Sequence, residues 1–320
     1  MKTLLTLGIA LAATAPQEAT PDKQPAPHPT SIPADGSDKP VAVPSEPTTI
    51  RFELRENLDA FDATINEQKQ TAVLDSGAGA LVLDRVFADR IGLRPTVSVG
   101  EVAGAGAQAQ QLQPITVSSL SVGPLHFANI EGYAVNLEQL SASAGFPINL
   151  LVGAPAFKSG AVTVDYQRRI ITFGPSGSAP ACQSPIPMTV VHDVPVVEVE
   201  LRPAADAEPV RLKLVVDLGT RDHAVLLGGR FYRSKAGEMM LKSGVPQQVG
   251  HGTGGAVQGS VSRAAEMRIG KMQIAQPQVA LSASVSAFEA GGFDGSLGVP
   301  LWKDGAISFD YQRNQICIHE

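Results

Sequence analysis

The chain carries two copies of one sequence pattern. Residues 148–173 read INLLVGAPAFKSGAVTVDYQRRIITF, and residues 293–318 read FDGSLGVPLWKDGAISFDYQRNQICI. Both contain Gly-x-Pro, a short segment that predicts a helical turn, Gly-Ala, a strand, Asp-Tyr-Gln-Arg and a second strand. Two copies of such an ordered series predict that one fold is built twice within a single chain.

Each copy also has a partner segment upstream. Residues 71–83 read TAVLDSGAGALVL and residues 213–227 read KLVVDLGTRDHAVLL. Both consist of an apolar strand, Asp-x-Gly, a small residue and a second apolar strand. Asp75 and Asp217 are 142 positions apart, whereas Gly153 and Gly298 are 145 apart, so the copies differ by a three-residue insertion. We predict a first lobe over 49–175, a connection over 176–189 and a second lobe over 190–320.

Within each copy the pattern indicates short strands separated by turns, with few helices. A strand is predicted over 49–54, and a short helix over 84–91 is followed by Gly92 and Pro95. Hairpins are predicted around Gly123-Pro124 and, in the second copy, around Gly270-Lys271. The predicted class is all-β, with two small closed β-barrel-like lobes related by a pseudo-two-fold axis.

The first 48 residues are predicted to lie outside this fold. Residues 1–15, MKTLLTLGIALAATA, have a positive residue, an apolar run and small residues, the layout of a secretory signal peptide. We expect cleavage near Ala12 and a periplasmic or secreted protein. Residues 16–48 are rich in proline and poor in apolar residues, which predicts a disordered linker. A spacer, a ligand for a proline-recognition domain and a cleavable pro-segment all fit this composition.

Charge and cysteine content exclude several classes of function. The net charge is −6 and there is no basic run, which argues against nucleic acid as a partner. No apolar run is long enough for stable membrane insertion. The histidines have no metal-ligand spacing, and we expect neither a metal ion nor another cofactor. Cys182 and Cys317 form either a disulfide between the connection and the last strand or two free buried thiols.

The two Asp-x-Gly motifs are the candidate catalytic elements. A carboxylate at the end of a buried strand is costly unless it is hydrogen-bonded or used in chemistry. In two lobes related by a pseudo-two-fold axis, the loops of Asp75 and Asp217 can meet on that axis. Two carboxyls at close range do not both ionise easily, so the pair holds one proton and provides both an acid and a base. Paired carboxyls that share a proton in this way are known from the aspartic proteases.

These motifs resemble those of the retropepsin and pepsin-like aspartic peptidases. The resemblance rests on Asp75-Ser76-Gly77-Ala78 between apolar strands, Leu151-Val152-Gly153 downstream, and the corresponding Phe293–Gly298 segment in the second copy. It implies a single-chain pseudo-dimer that is monomeric in solution and hydrolyses peptide bonds. Asp75 and Asp217 are then the catalytic pair, and the substrate is a protein or peptide bound in extended form.

The resemblance also assigns supporting roles. The residues expected to shape the active-site loops are Ser76, Gly77, Ala78, Gly219, Thr220, Gly153 and Gly298. Glycine-rich segments at 100–111 and 250–259 are expected to form flaps over the cleft, with the glycines Gly104, Gly106, Gly252, Gly254 and Gly255. Two flaps are typical of retropepsins, whereas ordinary glycine-rich hairpin loops are the alternative.

One position departs from the family pattern. The residue after the catalytic aspartate is usually Thr or Ser, which Ser76 satisfies and Leu218 does not. Thr220 is expected to supply a hydroxyl to the Asp217 carboxylate instead. Two alternatives therefore remain open: a peptide-binding protein with a degenerate second lobe, and a protease that pairs two first lobes from separate chains.

Other charged residues near the motifs have open or structural interpretations. Arg221, Asp222 and His223 follow the Asp217 loop and either shape a substrate pocket or lie on the surface. The remaining acidic residues of the repeats are interpreted as turn residues; they are Asp165, Asp294 and Asp310.

Overall fold

The computed structural model describes residues 5–7, 9–11, 43–95, 100–103, 109–285, 288 and 291–319. Strands dominate these residues, and the helices among them are short. The strands of the first half are β1 (Leu5–Leu7), β2 (Ile9–Leu11), β3 (Thr48–Arg51), β4 (Glu53–Arg55), β5 (Leu58–Ile65), β6 (Gln68–Leu74), β7 (Leu81–Asp84), β8 (Gly100–Ala103), β9 (Ala109–Val122), β10 (Leu125–Val135), β11 (Leu150–Val152), β12 (Ala161–Asp165) and β13 (Ile170–Gly174).

The second half repeats this succession of strands. Its strands are β14 (Ile186–Val191), β15 (Val194–Arg202), β16 (Val210–Asp217), β17 (Val225–Leu227), β18 (Val245–Gly252), β19 (Gly255–Arg263), β20 (Glu266–Ile269), β21 (Met272–Ala275), β22 (Gln278–Leu281), β23 (Gly295–Gly298), β24 (Ala306–Asp310) and β25 (Gln315–His319). The helices are α1 (Arg85–Arg90), α2 (Glu138–Ala144), α3 (Ala154–Lys158), α4 (Gly229–Tyr232), α5 (Lys235–Ser243) and a 3₁₀ turn at Val299–Leu301. Among the described helices, none combines the length and apolar composition that a bilayer crossing requires.

The N-terminal segments are only partly described. Within the predicted signal peptide, β1 and β2 form a short antiparallel pair. Most of the predicted linker, residues 16–42, lies outside the described residues. Both assignments stay predictions.

The first lobe is a closed barrel. Its sheet has the order β4-β5-β6-β11-β7-β10-β9-β8, and β5 also pairs with β9, which closes the ring. Buried and exposed residues alternate along part of β10, as expected for a strand with one face on the core. The predicted hairpin at Gly123-Pro124 is confirmed, because β9 and β10 pair antiparallel on either side of it.

The second lobe has the same ring with one interruption. The long hairpin β9–β10 corresponds to four shorter strands, in which β19 and β20 replace β9, and β21 and β22 replace β10. β20 pairs with β15 as β9 pairs with β5. The break falls at Gln276, which has a φ of 48°, and Pro277, which has no N–H for a sheet.

A continuous sheet joins the two lobes. From the second barrel it runs through β14-β25-β24-β12-β13-β3, so strands of both repeats lie side by side. Thr163 pairs with Ser308, its own equivalent at an offset of 145, and their hydroxyls are hydrogen-bonded at 2.9 Å. The pseudo-two-fold axis predicted from the repeats therefore passes through this residue pair.

The predicted single strand over 49–54 is wrong, because the chain changes sheets at Phe52. β3 belongs to the shared sheet and β4 to the first barrel. Phe52 between them is buried and packs edge-on against Tyr166, with ring centroids 5.7 Å apart. Burial of this side chain fixes the point at which the strand divides.

The Asp-Tyr-Gln-Arg motifs have structural roles. Asp165 accepts a hydrogen bond from the Arg168 N–H, and Asp310 accepts one from the Arg313 N–H, as expected for turns. The hydroxyl of Tyr166 donates to the buried carboxyl of Asp59 at 2.9 Å. Burial raises the pKa of Asp59 to about 8, although the Tyr166 hydrogen bond opposes this shift.

Cys182 and Cys317 form a disulfide, with their Cα atoms 5.9 Å apart. The bond fastens the segment between the lobes to β25. Of the two alternatives left open by the sequence, the structure has the disulfide.

Candidate active site

The two Asp-x-Gly motifs lie on equivalent loops at the ends of equivalent strands. Asp75 follows β6, which pairs in parallel with β11, and Asp217 ends β16, which pairs in parallel with β23. Their exposed fractions are 2 % and 0 %. The sequence folds this way because apolar strands lead into the loops and glycine allows a tight turn two residues after each aspartate.

Each loop satisfies its own aspartate in the same way. The Gly77 N–H donates to Oδ1 of Asp75 at 2.9 Å, and the Gly219 N–H donates to Oδ1 of Asp217 at 2.8 Å. These backbone hydrogen bonds hold both carboxyls in fixed orientations.

Gly153 and Gly298 pack closely against the backbones of the two aspartate loops. A side chain at Gly153 would collide with the carbonyl oxygens of Ala78 and Ala80, and one at Gly298 would collide with those of Thr220 and His223. The residue after each glycine donates its N–H to the loop: Ala154 to Ala78 O at 2.8 Å, and Val299 to Thr220 O at 2.9 Å. Both positions therefore require glycine for close backbone packing.

The two loops are joined across the lobe boundary. The hydroxyl of Ser76 donates to the Val216 carbonyl oxygen at 2.8 Å and accepts from the Leu218 N–H at 3.0 Å. Gly77 lies against Asp217, since a Cβ at residue 77 would be 2.6 Å from Cγ of that carboxyl. Asp75 and Asp217 are themselves hydrogen-bonded through their side chains. The structure thus brings together the two aspartates that the repeats predicted to meet.

Asp217 has a higher pKa than an ordinary aspartate. Burial raises its pKa to about 6, and hydrogen bonds from Thr220, from the Gly219 N–H and with Asp75 limit the rise. The Thr220 hydroxyl donates to Oδ2 of Asp217 at 2.8 Å, as expected from the sequence. The pair formed by Asp75 and Asp217 therefore retains a proton in mildly acidic solution.

The family pattern has a Ser or Thr hydroxyl after each catalytic aspartate. Because residue 218 is Leu, this chain has such a hydroxyl only at Ser76. Leu218 is fully buried and contributes its backbone N–H to Ser76. A residue that sequence reasoning missed is Ser296, whose hydroxyl lies 2.9 Å from that of Thr220. The sequence places Ser296 within the second repeated segment, but its contact with Thr220 depends on the parallel pairing of β16 with β23.

The second predicted flap is a hairpin next to the Asp217 loop. Gly252 and Gly255 pair at the ends of β18 and β19, and Gly254 lies between these strands. Val249, Gly250, His251 and Val257 of this hairpin share a cleft with Gly219–His223. Gly104 and Gly106 of the first predicted flap lie outside the described residues, between β8 and β9.

Two buried, hydrogen-bonded carboxyls on an axis between lobes can act as an acid and a base in one reaction. One carboxyl holds a proton for a substrate atom, while the other accepts a proton from water. Because the pKa of Asp217 is about 6, its carboxyl changes from the protonated to the charged form within the range of mild acidity.

Comparison with known proteins agrees with the motifs of the first lobe. Residues 61–155 match the aspartyl protease family model, a range that includes Asp75, Ser76, Gly77 and Gly153. The match confirms the resemblance to aspartic peptidases in this part of the chain. No curated protein matches the chain.

Two solved structures illustrate the similarity. A retropepsin-like aspartic protease from Rickettsia conorii has 20 % sequence identity, covers 40 % of this chain and 92 % of its own, and has a TM-score of 0.29. Basic 7S globulin from soybean has 10 % identity, covers 85 % of this chain and 94 % of its own, and has a TM-score of 0.45.

Proposed function

We propose that this protein is an aspartic endopeptidase that hydrolyses peptide bonds with a water activated by Asp75 and Asp217. The observation that carries the proposal is the hydrogen-bonded pair of buried carboxyls on equivalent loops of two lobes. The aspartyl protease match over residues 61–155 supports the same reaction class.

The proposed mechanism divides the base and acid roles between two carboxyls that share one proton. Asp75 takes a proton from water as the water oxygen attacks the peptide carbonyl carbon, and Asp217 gives its proton to the carbonyl oxygen. The resulting tetrahedral intermediate has two hydroxyls on one carbon. Asp75 then protonates the leaving amide nitrogen while Asp217 recovers a proton from one hydroxyl, and the C–N bond breaks. Both carboxyls thereby return to the protonation states in which the cycle began.

A single chain is the proposed catalytic unit. Ser76 reaches Val216 and Leu218 of the other lobe, and Gly77 packs on Asp217. These contacts support an active site assembled from both repeats over one that requires two first lobes from separate chains. The proposed substrate is an extended peptide, since the cleft lies beside the hairpin β18–β19 and its backbone groups.

The test is cleavage of an unstructured protein mixture by the purified chain between pH ~3 and 8. Wild type should cut, and Asp75→Asn and Asp217→Asn should each lose ~10³-fold or more, because each removes a proton-transfer group. Asp165→Asn, which alters a turn carboxyl far along the chain from either motif, serves as the matched control and should retain activity.

Two results would overturn the proposal. Activity that survives Asp217→Asn and grows with the square of protein concentration would indicate a first-lobe dimer. A wild type that binds peptides but cuts none at any pH would indicate a peptide-binding protein with a degenerate second lobe.

We also propose export from the cytoplasm. The proposal rests on the layout of residues 1–15, and the Cys182–Cys317 disulfide supports it, because such bonds persist in oxidising compartments. Fractionation of cells that express the full chain, beside a variant lacking residues 2–15, tests it: only the full chain should leave the cytoplasm.

A further inference from the structure

A buried arginine lies four residues after Asp217. The side chain of Arg221 is 7 % exposed, although the guanidinium group carries a permanent charge. Its Nη2 donates to the carbonyl oxygen of Ser143 in α2 of the first lobe at 3.1 Å. Its own carbonyl oxygen accepts from Nδ2 of Asn57 at 2.9 Å. Arg221 is thus held by the first lobe at both ends, next to the proposed catalytic pair.

The guanidinium is incompletely satisfied. Nη1 is buried and has no hydrogen-bond partner among the described residues. Oδ2 of Asp222 lies 3.7 Å from Nε, on another edge of the group. A buried charged donor without an acceptor costs free energy, so this edge of Arg221 favours an added acceptor.

Arg221 also lines a cleft beside the Asp217 loop. The cleft has a volume of about 30 Å³, which accommodates a group as large as two water molecules. A carboxylate has this size, and an arginine fork matches its geometry with two parallel hydrogen bonds. The other lining residues are Gly219, Thr220, Asp222, His223, Leu226, Val249, Gly250, His251 and Val257.

The Arg221 guanidinium has no counterpart at the equivalent position of the first loop. Thr220 corresponds to Ala78 in the first loop, and Arg221 therefore corresponds to Gly79. Gly79 carries no side chain and packs against the carbonyl oxygen of His192. The two halves of the cleft therefore differ at this position by a guanidinium group.

We propose that Arg221 binds a carboxylate of the peptide substrate on the second-lobe side of the catalytic pair, so that the enzyme prefers an acidic residue there. This inference rests on the proposed function for its meaning in catalysis. The same chemistry can come from a Glu or Asp side chain or from a peptide C-terminus. The acidic side chain is favoured because an endopeptidase substrate continues on both sides of the cleaved bond, which keeps its C-terminus away from this cleft.

The experiment uses quenched fluorescent decapeptide mixtures, each with Glu or Gln fixed at one position and the other positions randomised. Each mixture is made with a C-terminal carboxylate and with a C-terminal amide. Wild type should cut a Glu mixture at least ~10-fold faster than its Gln counterpart at one position, with no effect of amidation. In Arg221→Gln the ratio should fall to about 1, and Arg221→Lys should retain part of it. Arg211→Gln, at an exposed arginine paired with Glu200, is the matched control.

Binding measurements separate this inference from the proposed function. The Asp75→Asn variant should bind the favoured Glu mixture at least ~10-fold tighter than the Gln mixture, and Asp75→Asn combined with Arg221→Gln should not. Such a result without any cleavage by wild type would keep the carboxylate site and overturn the peptidase. Equal cutting and equal binding of Glu and Gln at every position would overturn the carboxylate site. Faster cutting of the mixtures with a C-terminal carboxylate than of their amides, with no difference between Glu and Gln, would assign the site to the peptide C-terminus and overturn the side-chain preference. Near-ultraviolet circular dichroism checks that Arg221→Gln is folded.

Discussion

Gly77 of the first lobe lies directly against the Asp217 carboxyl of the second lobe. A Cβ at residue 77 would be 2.6 Å from Cγ and from Oδ1 of Asp217. No real Cβ contact is that short, so a side chain at this position displaces the carboxyl that is proposed to hold the proton. We expect Gly77→Ala to lower kcat by ~10²-fold or more, because catalysis is sensitive to displacements of about 1 Å. Steady-state kinetics on a peptide substrate measures this loss.

Gly92→Ala is the matched control for that substitution. Gly92 has a φ of 80°, and a Cβ there meets nothing within 4 Å. The change should cost ~1 kcal/mol of stability through backbone strain and leave kcat unchanged. Equal activity of Gly77→Ala and wild type would contradict the close packing of the two loops.

Ser76 is expected to contribute to both stability and activity. Ser76→Ala removes the hydroxyl that joins the Val216 carbonyl and the Leu218 N–H across the lobes, so both buried backbone groups lose this hydrogen bond. The free energy of unfolding should fall by ~1–3 kcal/mol. Chemical denaturation measures the change, and Ser76→Thr, which keeps the hydroxyl, should lose less. Unchanged stability in Ser76→Ala would show that the interlobe bonds contribute nothing.

The proposed proton of Asp217 gives the activity a defined pH dependence. Its pKa is raised to about 6, so Asp217 is protonated below that pH and charged above it. Cleavage should therefore fall as the pH rises through about 6, because the general acid has lost its proton. The pH profile of kcat/KM for the free enzyme reports this limb.

Thr220→Val tests the assignment of that limb. The Thr220 hydroxyl stabilises the charged form of Asp217 and so lowers its pKa. Its removal should move the alkaline limb to higher pH, while Thr220→Ser, which keeps a hydroxyl, should leave it in place. A limb that stays in place in Thr220→Val assigns it to another group.

The repeats made the central features of this site predictable. The offset between the two Asp-x-Gly motifs is nearly the same as that between the downstream repeats. This is sufficient to predict that Asp75 and Asp217 meet, because symmetry brings equivalent loops together. The family resemblance pointed to a hydroxyl from Thr220 as a substitute at Leu218, and the structure has that bond. The burial of Arg221 was not predictable, because it depends on α2 of the other lobe. Nor was that of Asp59, whose partner Tyr166 is distant in sequence and was interpreted only as part of a turn motif.

The disulfide should stabilise the chain without affecting chemistry. Cys182 and Cys317 are separated by 135 positions, and a bond that closes a loop of this length restricts the unfolded chain. Cys182→Ser combined with Cys317→Ser should lower the free energy of unfolding by ~2–4 kcal/mol and preserve the rate at 25 °C. Thermal unfolding with and without a reducing agent checks this, since the reductant should destabilise wild type and leave the double variant unchanged.

Asp59 should make stability decrease with rising pH. The pKa of Asp59 is raised to about 8 in the folded protein, whereas the ordinary value is 3.8. The folded state therefore binds the extra proton, and its stability falls as the pH rises between these values and levels off above about 8. Asp217 adds a smaller effect of the same sign up to about 6.

Asp59→Asn separates the two contributions. The variant cannot ionise at residue 59, so its stability should decline less than that of wild type between pH 5 and 8. Urea unfolding at both pH values measures the difference. Parallel pH curves for wild type and variant would rule out an unfavourable charge at Asp59.

The Thr163–Ser308 pair has a consequence for any fragment of this chain. β12 lies antiparallel beside its own equivalent, β24, with Thr163 facing its equivalent Ser308 at the centre. The pairs on either side are exchanged by the pseudo-two-fold axis: Ala161–Asp310 is the counterpart of Asp165–Ala306. A first repeat separated from the second would thus expose a self-complementary strand edge, on which another copy of β12 can take the place of β24. In the intact chain β24 occupies this edge, and the covalent link between the repeats favours that pairing over pairing between chains.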